Sequence, residues 1–297
     1  MILTILSTFI IFIVPFLEQK YFNNINRQFN DIENLKMSIS MFLSSIILLL
    51  CGIFFLELKY DFLNDYKFWA FAVVEFLGIF LLKFNFSKNK DNMSNVSFAM
   101  FSIIYTVPFI NYLYSGILDF NNDINIEYTS NIEFIIILSS LFILNILFFF
   151  DKIRTLPLEN FFYLLLMVLV LTNSVYFGTK LVQEYNGFLI FSLVYMFLLG
   201  PLFLVKGFIK KEYINLKKYS YINIIKSSLL LPISTLLFIL FSKVIALEIV
   251  VVSKRLGIII SGLIIDKSNN KKVKKKDIIL TIIIFIILIY YLYISLI

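Results

Sequence analysis

Ten apolar runs, each about fifteen to twenty residues long, dominate this chain, and only short polar loops separate them. They lie at 2–17, 37–56, 68–82, 96–114, 132–150, 161–179, 188–205, 222–241, 246–265 and 278–297. A helix needs roughly 20 apolar residues to cross a bilayer. The runs are continuous rather than alternating, which argues against strands of a membrane barrel. Composition agrees: 60% of the residues are hydrophobic and only 15% are charged. A soluble domain is nearer to 45–50% apolar and about 25% charged, and a soluble fold of 297 residues could not hide this much apolar surface. The expected class is therefore an all-α integral membrane protein of ten transmembrane helices. No loop is long enough for a separate soluble domain. The first run lacks a basic n-region and a small-residue cleavage site, so it is expected to be a retained span rather than a signal peptide.

What is missing narrows the chemistry. The chain has no histidine and one cysteine, Cys51. Histidine-based metal sites, Ser-His-Asp or Cys-His catalysis and an intrachain disulfide are excluded. No nucleotide-binding loop is present, which argues against direct use of ATP. No cofactor, metal or catalytic residue is expected. Lysine and arginine exceed aspartate and glutamate, 26 against 19. In a membrane protein that excess marks cytoplasmic loops rather than a nucleic-acid partner. Loops after odd-numbered runs carry nineteen of the cations and loops after even-numbered runs carry four. Short-loop cations stay in the cytoplasm, so both termini are expected outside. The run "NNKKVKKK" reads as an anchor among anionic headgroups.

The order of motifs suggests duplication. Run 1 ends "VPFLEQK" and run 6 ends "SVYFGTK", which aligns Lys20 with Lys180. Run 3 ends at Lys83 and run 8 at Lys243, and both pairs lie 160 positions apart. Gly52 in run 2 aligns with Gly200 in run 7, and Ser115-Gly116 in run 4 with Ser261-Gly262 in run 9. Two five-helix halves, 1–150 and 151–297, follow. Five is odd, so the second half enters the membrane from the opposite side. Such inverted repeats enclose a site near the midplane that rocking opens to either side in turn.

Run 9 reads "IVVVSKRLGIIISGLIID", with Lys254 and Arg255 side by side. A charge at mid-bilayer costs about 2.5–3.5 kcal/mol on insertion scales and should face the bundle interior or water. Ser253, Gly257 and Ser261 form a small-residue stripe suited to close packing. Arg255 lies nearly opposite that stripe and shares its face with Glu248 and Gly262. The cations either bind an anionic group of a substrate or pair with Glu75, Glu248 or backbone carbonyls. Glu75 stands mid-span in "AVVEFLGIF", where it is either a proton carrier or a salt-bridge partner. Asn173, Ser174 and Tyr176 cluster in run 6, and Tyr105, Thr106 and Asn111 surround Pro108 in run 4. Each suits interhelical hydrogen bonding, and as a set they are the expected site. Pro201 and Pro232 are expected to kink their helices.

The segment "SSLLLPISTLLFILFSKVIALEIVVVSKRLGIIISGLIID" resembles the C-terminal half of the EamA-like branch of the drug/metabolite transporter superfamily. Members have ten helices in two five-helix repeats. Their ninth helix often carries a basic pair followed by small and bulky apolar residues, as in "VSKRLGIIISG". Asp266 stands where many relatives carry a glutamate. Relatives are usually drawn with cytoplasmic termini, opposite to the charge count. The resemblance implies a secondary transporter of the inner or plasma membrane, moving a small polar or amphipathic metabolite by alternating access. The candidate substrate-binding residues are Glu75, Tyr105, Asn111, Asn173, Tyr176, Ser253, Lys254 and Arg255. Expected partners are a small-molecule substrate and membrane lipids, with a homodimer open. The rivals are a flippase for a lipid-linked sugar or phosphate group, an intramembrane enzyme and a non-transporting scaffold.

Overall fold

The computed structural model describes residues 2–55, 61–88, 96–97, 99–100, 102–103, 106–107, 136, 139–140, 142–143, 146–147, 157–244, 247–268 and 275–295. At 2–12, 241–244, 247–256 and 288–295, as at a few single positions, it describes the backbone alone. Most of runs 4 and 5, with their pairing into the repeat, lies outside the described residues. All described secondary structure is helical. The long helices are α1 (Ile2–Gln28), α2 (Glu33–Phe55), α3 (Tyr66–Lys88), α4 (Leu158–Glu184) and α5 (Gly187–Ile209). After them come α6 (Tyr221–Ser228), α7 (Leu230–Val244), α8 (Leu247–Ser268) and α9 (Lys275–Ser295).

Among the described residues, five helical stretches are long and apolar enough to cross a membrane: Asn30–Phe54, Tyr66–Lys88, Leu158–Val182, Gly187–Ile209 and Tyr221–Leu240. Their outer faces are as apolar as their inner ones. On α3 the outward stripe is Trp69, Val73, Leu77 and Phe80, while Phe68, Phe71, Ala72, Gly78, Ile79 and Leu82 are buried. A helix that is apolar all round needs protein on every side or lipid. Trp69 is 60% exposed and Phe197 72% exposed, so lipid is the solvent that fits. The chain is a helical membrane protein.

Small residues set how closely these helices approach. α3 and α4 run antiparallel, with glycine notches on both. The Cβ that Gly78 lacks would stand 2.8 Å from Leu171, and the one Gly178 lacks would stand 2.8 Å from Phe71. Each helix thus offers a gap where its neighbour offers bulk. The ladder continues through Phe84 and Tyr163, whose rings meet edge-on at 4.6 Å. Ion pairs close both ends, Lys67 with Glu184 at 2.8 Å and Lys88 with Glu159 at 3.8 Å. α2 and α5 form a second antiparallel ladder. Gly52 faces Phe188 and Leu189, Gly200 faces Phe42, and Gly207 faces Leu35. Ser38 Oγ donates to the Gly200 carbonyl at 2.8 Å, and the hydroxyls of Ser45 and Ser192 lie 3.1 Å apart. α1 packs along both α7 and α8, and α8 along α9.

Local signals explain the breaks. Asn186 caps α5 by accepting from the Phe188 and Leu189 amides at 3.1 and 3.4 Å, as an N-cap asparagine does. The short turn it completes sends α5 back antiparallel to α4. Within α5, Tyr195–Leu199 forms a π-helical turn, and the Gly200 amide donates to the Tyr195 carbonyl five residues back. Pro201 follows at once. It has no N–H to give and its ring would crowd the carbonyl four residues earlier, a conflict that the wider turn relieves. Pro232 acts likewise. It cannot donate to the Ser228 carbonyl, and α6 ends at Ser228.

Two sequence expectations need correction. α1 does not end near Leu17 but runs to Gln28. Tyr21, Phe22 and Ile25 continue its buried stripe, and after Pro15 no proline or glycine interrupts the helix. Lys36 and Lys83, counted above with the loops, are buried within helices.

Gly207→Val should force Leu35 aside, because the missing Cβ already lies 2.7 Å from the Leu35 Cγ and 3.1 Å from its backbone nitrogen. Overpacking of this kind costs about 1–3 kcal/mol. The thermal midpoint of the detergent-purified protein should fall by several degrees, read by tryptophan fluorescence or scanning calorimetry.

Candidate functional site

A cavity of about 120 Å³ lies among α1, α2, α3, α4, α5 and α7, with Met100 from run 4 beside it. Around 10–15 Å³ of such space holds one water, so the cavity has room for several. Its walls are mainly apolar: Phe22, Phe71, Phe191, Phe238, Leu82, Leu171 and Met41. Set into them are two carboxylates, Glu18 and Glu75, together with Ser174, Thr235 and Tyr195.

Each carboxylate is held by a serine from the facing helix. Ser174 Oγ on α4 donates to Glu75 Oε2 on α3. Ser234 Oγ on α7 donates to Glu18 Oε1 on α1 at 2.9 Å. Both serines are buried. Tyr195 lines the same cavity beside Thr235, and Glu75 and Glu18 are its charged neighbours. Tyr195 opens the π-helical turn, and such turns often occur where a helix presents a side chain for function. The two carboxylates therefore face one compartment, each orientated by a hydroxyl, with a phenol near both.

A second polar constellation binds Gln19, next to Glu18. Its Nε2 donates to Ser97 Oγ at 3.0 Å and to the Ile258 carbonyl at 2.8 Å, and its Oε1 accepts from Ser261 Oγ at 2.8 Å. This one side chain fastens α1 to α8 and to run 4. Thr106 of run 4 in turn meets Thr172 of α4, their hydroxyls 2.7 Å apart.

One end of the bundle is closed by charge. Lys83 Nζ donates to Asn34 Oδ1 at 2.6 Å and pairs with Glu33 at 3.2 Å. Lys210 pairs with Glu33 from the far side at 3.1 Å. Glu212, just beyond α5, accepts from the Asn34 and Leu35 amides at 2.9 Å each and from the Asn34 side chain. It thereby caps α2 from another part of the chain, and a carboxylate there also complements the helix dipole. Lys211, with φ at 57°, makes the left-handed turn that brings Glu212 round. At the opposite end Asp65 accepts from the Tyr185 hydroxyl at 3.3 Å. Partial burial and that carboxylate raise the Tyr185 phenol above its ordinary pKa.

The residues picked from sequence are placed unevenly. Glu75 lines the cavity. Its neighbour from the run 6 cluster is Ser174, whereas Asn173 donates back to the Leu169 carbonyl at 2.9 Å and does not line the cavity. Tyr176 is buried edge-on against Phe177 at 5.3 Å, with Lys180 Nζ 5.7 Å from its ring centre, also away from the cavity. Tyr105 and Asn111 lie outside the described residues. Ser253, Lys254 and Arg255 lie within α8, but their side chains are outside the described residues, as is that of Glu248. Sequence reasoning missed Glu18, Gln19 and Glu212. Glu18 sits in register with Phe22, Ile25 and Phe29, a helical spacing that continues past the apolar run. Glu212 is the lone carboxylate in the basic stretch "KGFIKKEYINLKK".

Comparison with family models, curated proteins and solved structures finds no match to the chain.

Glu212→Ala should leave three donors at the start of α2 without their acceptor, at about 1–3 kcal/mol for each buried donor orphaned. Glu212→Gln keeps one accepting oxygen. The expected order of thermal midpoints in detergent is wild type, then Gln, then Ala, each step several degrees.

Proposed function

We propose that this protein is a secondary transporter that carries a small amphipathic molecule across the membrane by alternating access, with Glu18 and Glu75 carrying protons. One observation carries the reading: two carboxylates share a small cavity among helices whose outer faces are apolar. Ionisable groups inside a membrane domain are costly and mark ion or substrate pathways. Apolar walls with few polar groups suit a small molecule bearing one charged or polar end. In this mechanism each carboxylate is charged when it holds a positive or donor group and neutral when it holds a proton. Exchange of one for the other couples transport to the proton gradient.

The packing supports two inverted five-helix halves. Exchanging run 1 with 6, 2 with 7 and 3 with 8 turns the α3–α4 pair into the α7–α1 pair and leaves the α2–α5 pair unchanged. Both exchanged pairs pack extensively, and each carries one Glu–Ser hydrogen bond. The central pair carries its glycines reciprocally, Gly52 against α5 and Gly200 against α2. In this scheme rocking of the halves opens the cavity to either side. On the charge count the Lys83 end would face the cytoplasm, and the Glu33, Asn34, Lys83, Lys210 and Glu212 network would be the closed cytoplasmic gate. Lys254 and Arg255 would balance the carboxylates from α8.

The test uses purified protein in liposomes with a trapped pH-sensitive dye. A panel of small amphipathic amines, amino acids and neutral metabolites is added outside. At least one compound should drive proton movement in wild type. Glu75→Gln and Glu18→Gln should abolish the proton signal, at least about tenfold, by removing the group that titrates. Counterflow of the same compound should persist in at least one variant. Arg255→Ala should alter the pH at which coupling is half-maximal. Proton signals unchanged in both glutamine variants would remove the carboxylates from the mechanism.

A further inference from the structure

A second, larger hollow of about 540 Å³ opens between the last turns of α1 and the start of α6. Lys20 and Asn24 line it from α1, and Lys218, Ser220, Asn223 and Lys226 from the other side. Among the described residues, no carboxylate lines it. Lys218 lies 3.6 Å from Asp31 with both side chains largely exposed, a pairing that solvent keeps weak. Lys20 and Lys226 are exposed. Ser220 begins α6 in extended conformation and makes no side-chain capping bond. Its hydroxyl and the positive end of the helix are thus at hand for an anion.

The surroundings select the source of that anion. The hollow sits at the start of the span Tyr221–Leu240, the level of lipid headgroups. Beside it on α6 are Tyr221, Ile222 and Ile225, exposed to 68%, 62% and 49%. Three cations, amide and hydroxyl donors and an adjoining apolar surface match a phosphate with acyl chains attached. We propose that this groove binds the headgroup of an anionic phospholipid. The phosphate sits among Lys20, Lys218 and Lys226, and the chains lie along Ile222 and Ile225. This site is separate from the central cavity and does not depend on transport.

The experiment is native mass spectrometry of the full-length protein from detergent, incubated with phosphatidylglycerol or phosphatidylcholine of matched chains. Wild type should retain phosphatidylglycerol preferentially. Lys20→Gln/Lys218→Gln/Lys226→Gln should lose that retention about tenfold, since each lysine near the surface adds to the attraction. The same three changes to arginine should keep it. Equal retention by wild type and the glutamine variant overturns the proposal. So does loss of retention only when Lys271, Lys272 and Lys274 are neutralised, or displacement of the lipid by an equal concentration of inorganic phosphate.

Discussion

In hydrocarbon a helix gains nothing by turning apolar side chains inward, because lipid tails receive them as well as protein does. What holds such a bundle is closeness of approach and the satisfaction of every polar group away from water. Both principles show at the helix seams of this chain. Glycines at 52, 78, 178, 200 and 207 sit opposite bulky neighbours. Serine, threonine, asparagine and glutamine join the helices by hydrogen bonds typically worth about 0.6 kcal/mol each. Individually these are small, so the fold rests on their number and on the shape of the seams.

The same constraint makes the polar groups informative. A carboxylate within the bundle is costly without a partner, and Glu18 and Glu75 each have a serine positioned for them. Glu212, Asn34 and Lys83 satisfy one another at the bundle's end. Lys36 shows another solution. It is buried, and its ammonium lies 4.6 Å from the Tyr21 ring centre and 4.7 Å from that of Phe29. Two aromatic faces there take the place of oxygen acceptors.

Helical class and membrane character were legible in the apolar runs, because span length and continuity are set by the bilayer and not by neighbours. Five of the runs recur as helices of spanning length, with boundaries shifted by polar residues that the bundle buries. Glu75 was legible because a carboxylate in mid-run has no bland surroundings. Glu18 was not, because the apolar run stops at Leu17 while the helix continues on a narrower buried stripe. Asn173 and Ser174 differ by one position and about 100° around the helix. That rotation decides which reaches the cavity, and only the neighbours of α4 could reveal it. The carboxylate of Glu212 reaching α2 is a contact across the chain that no local pattern encodes.

The reciprocal notches between α3 and α4 carry a mechanical consequence. Phe71 fits the gap at Gly178, and Leu171 fits the gap at Gly78. Sliding one helix along the other would drive a ring and a branched chain against backbone at both places together. The seam is therefore keyed like a lock with two wards, stiff along its length. The halves to which these two helices would belong can therefore pivot about this seam but not glide along it.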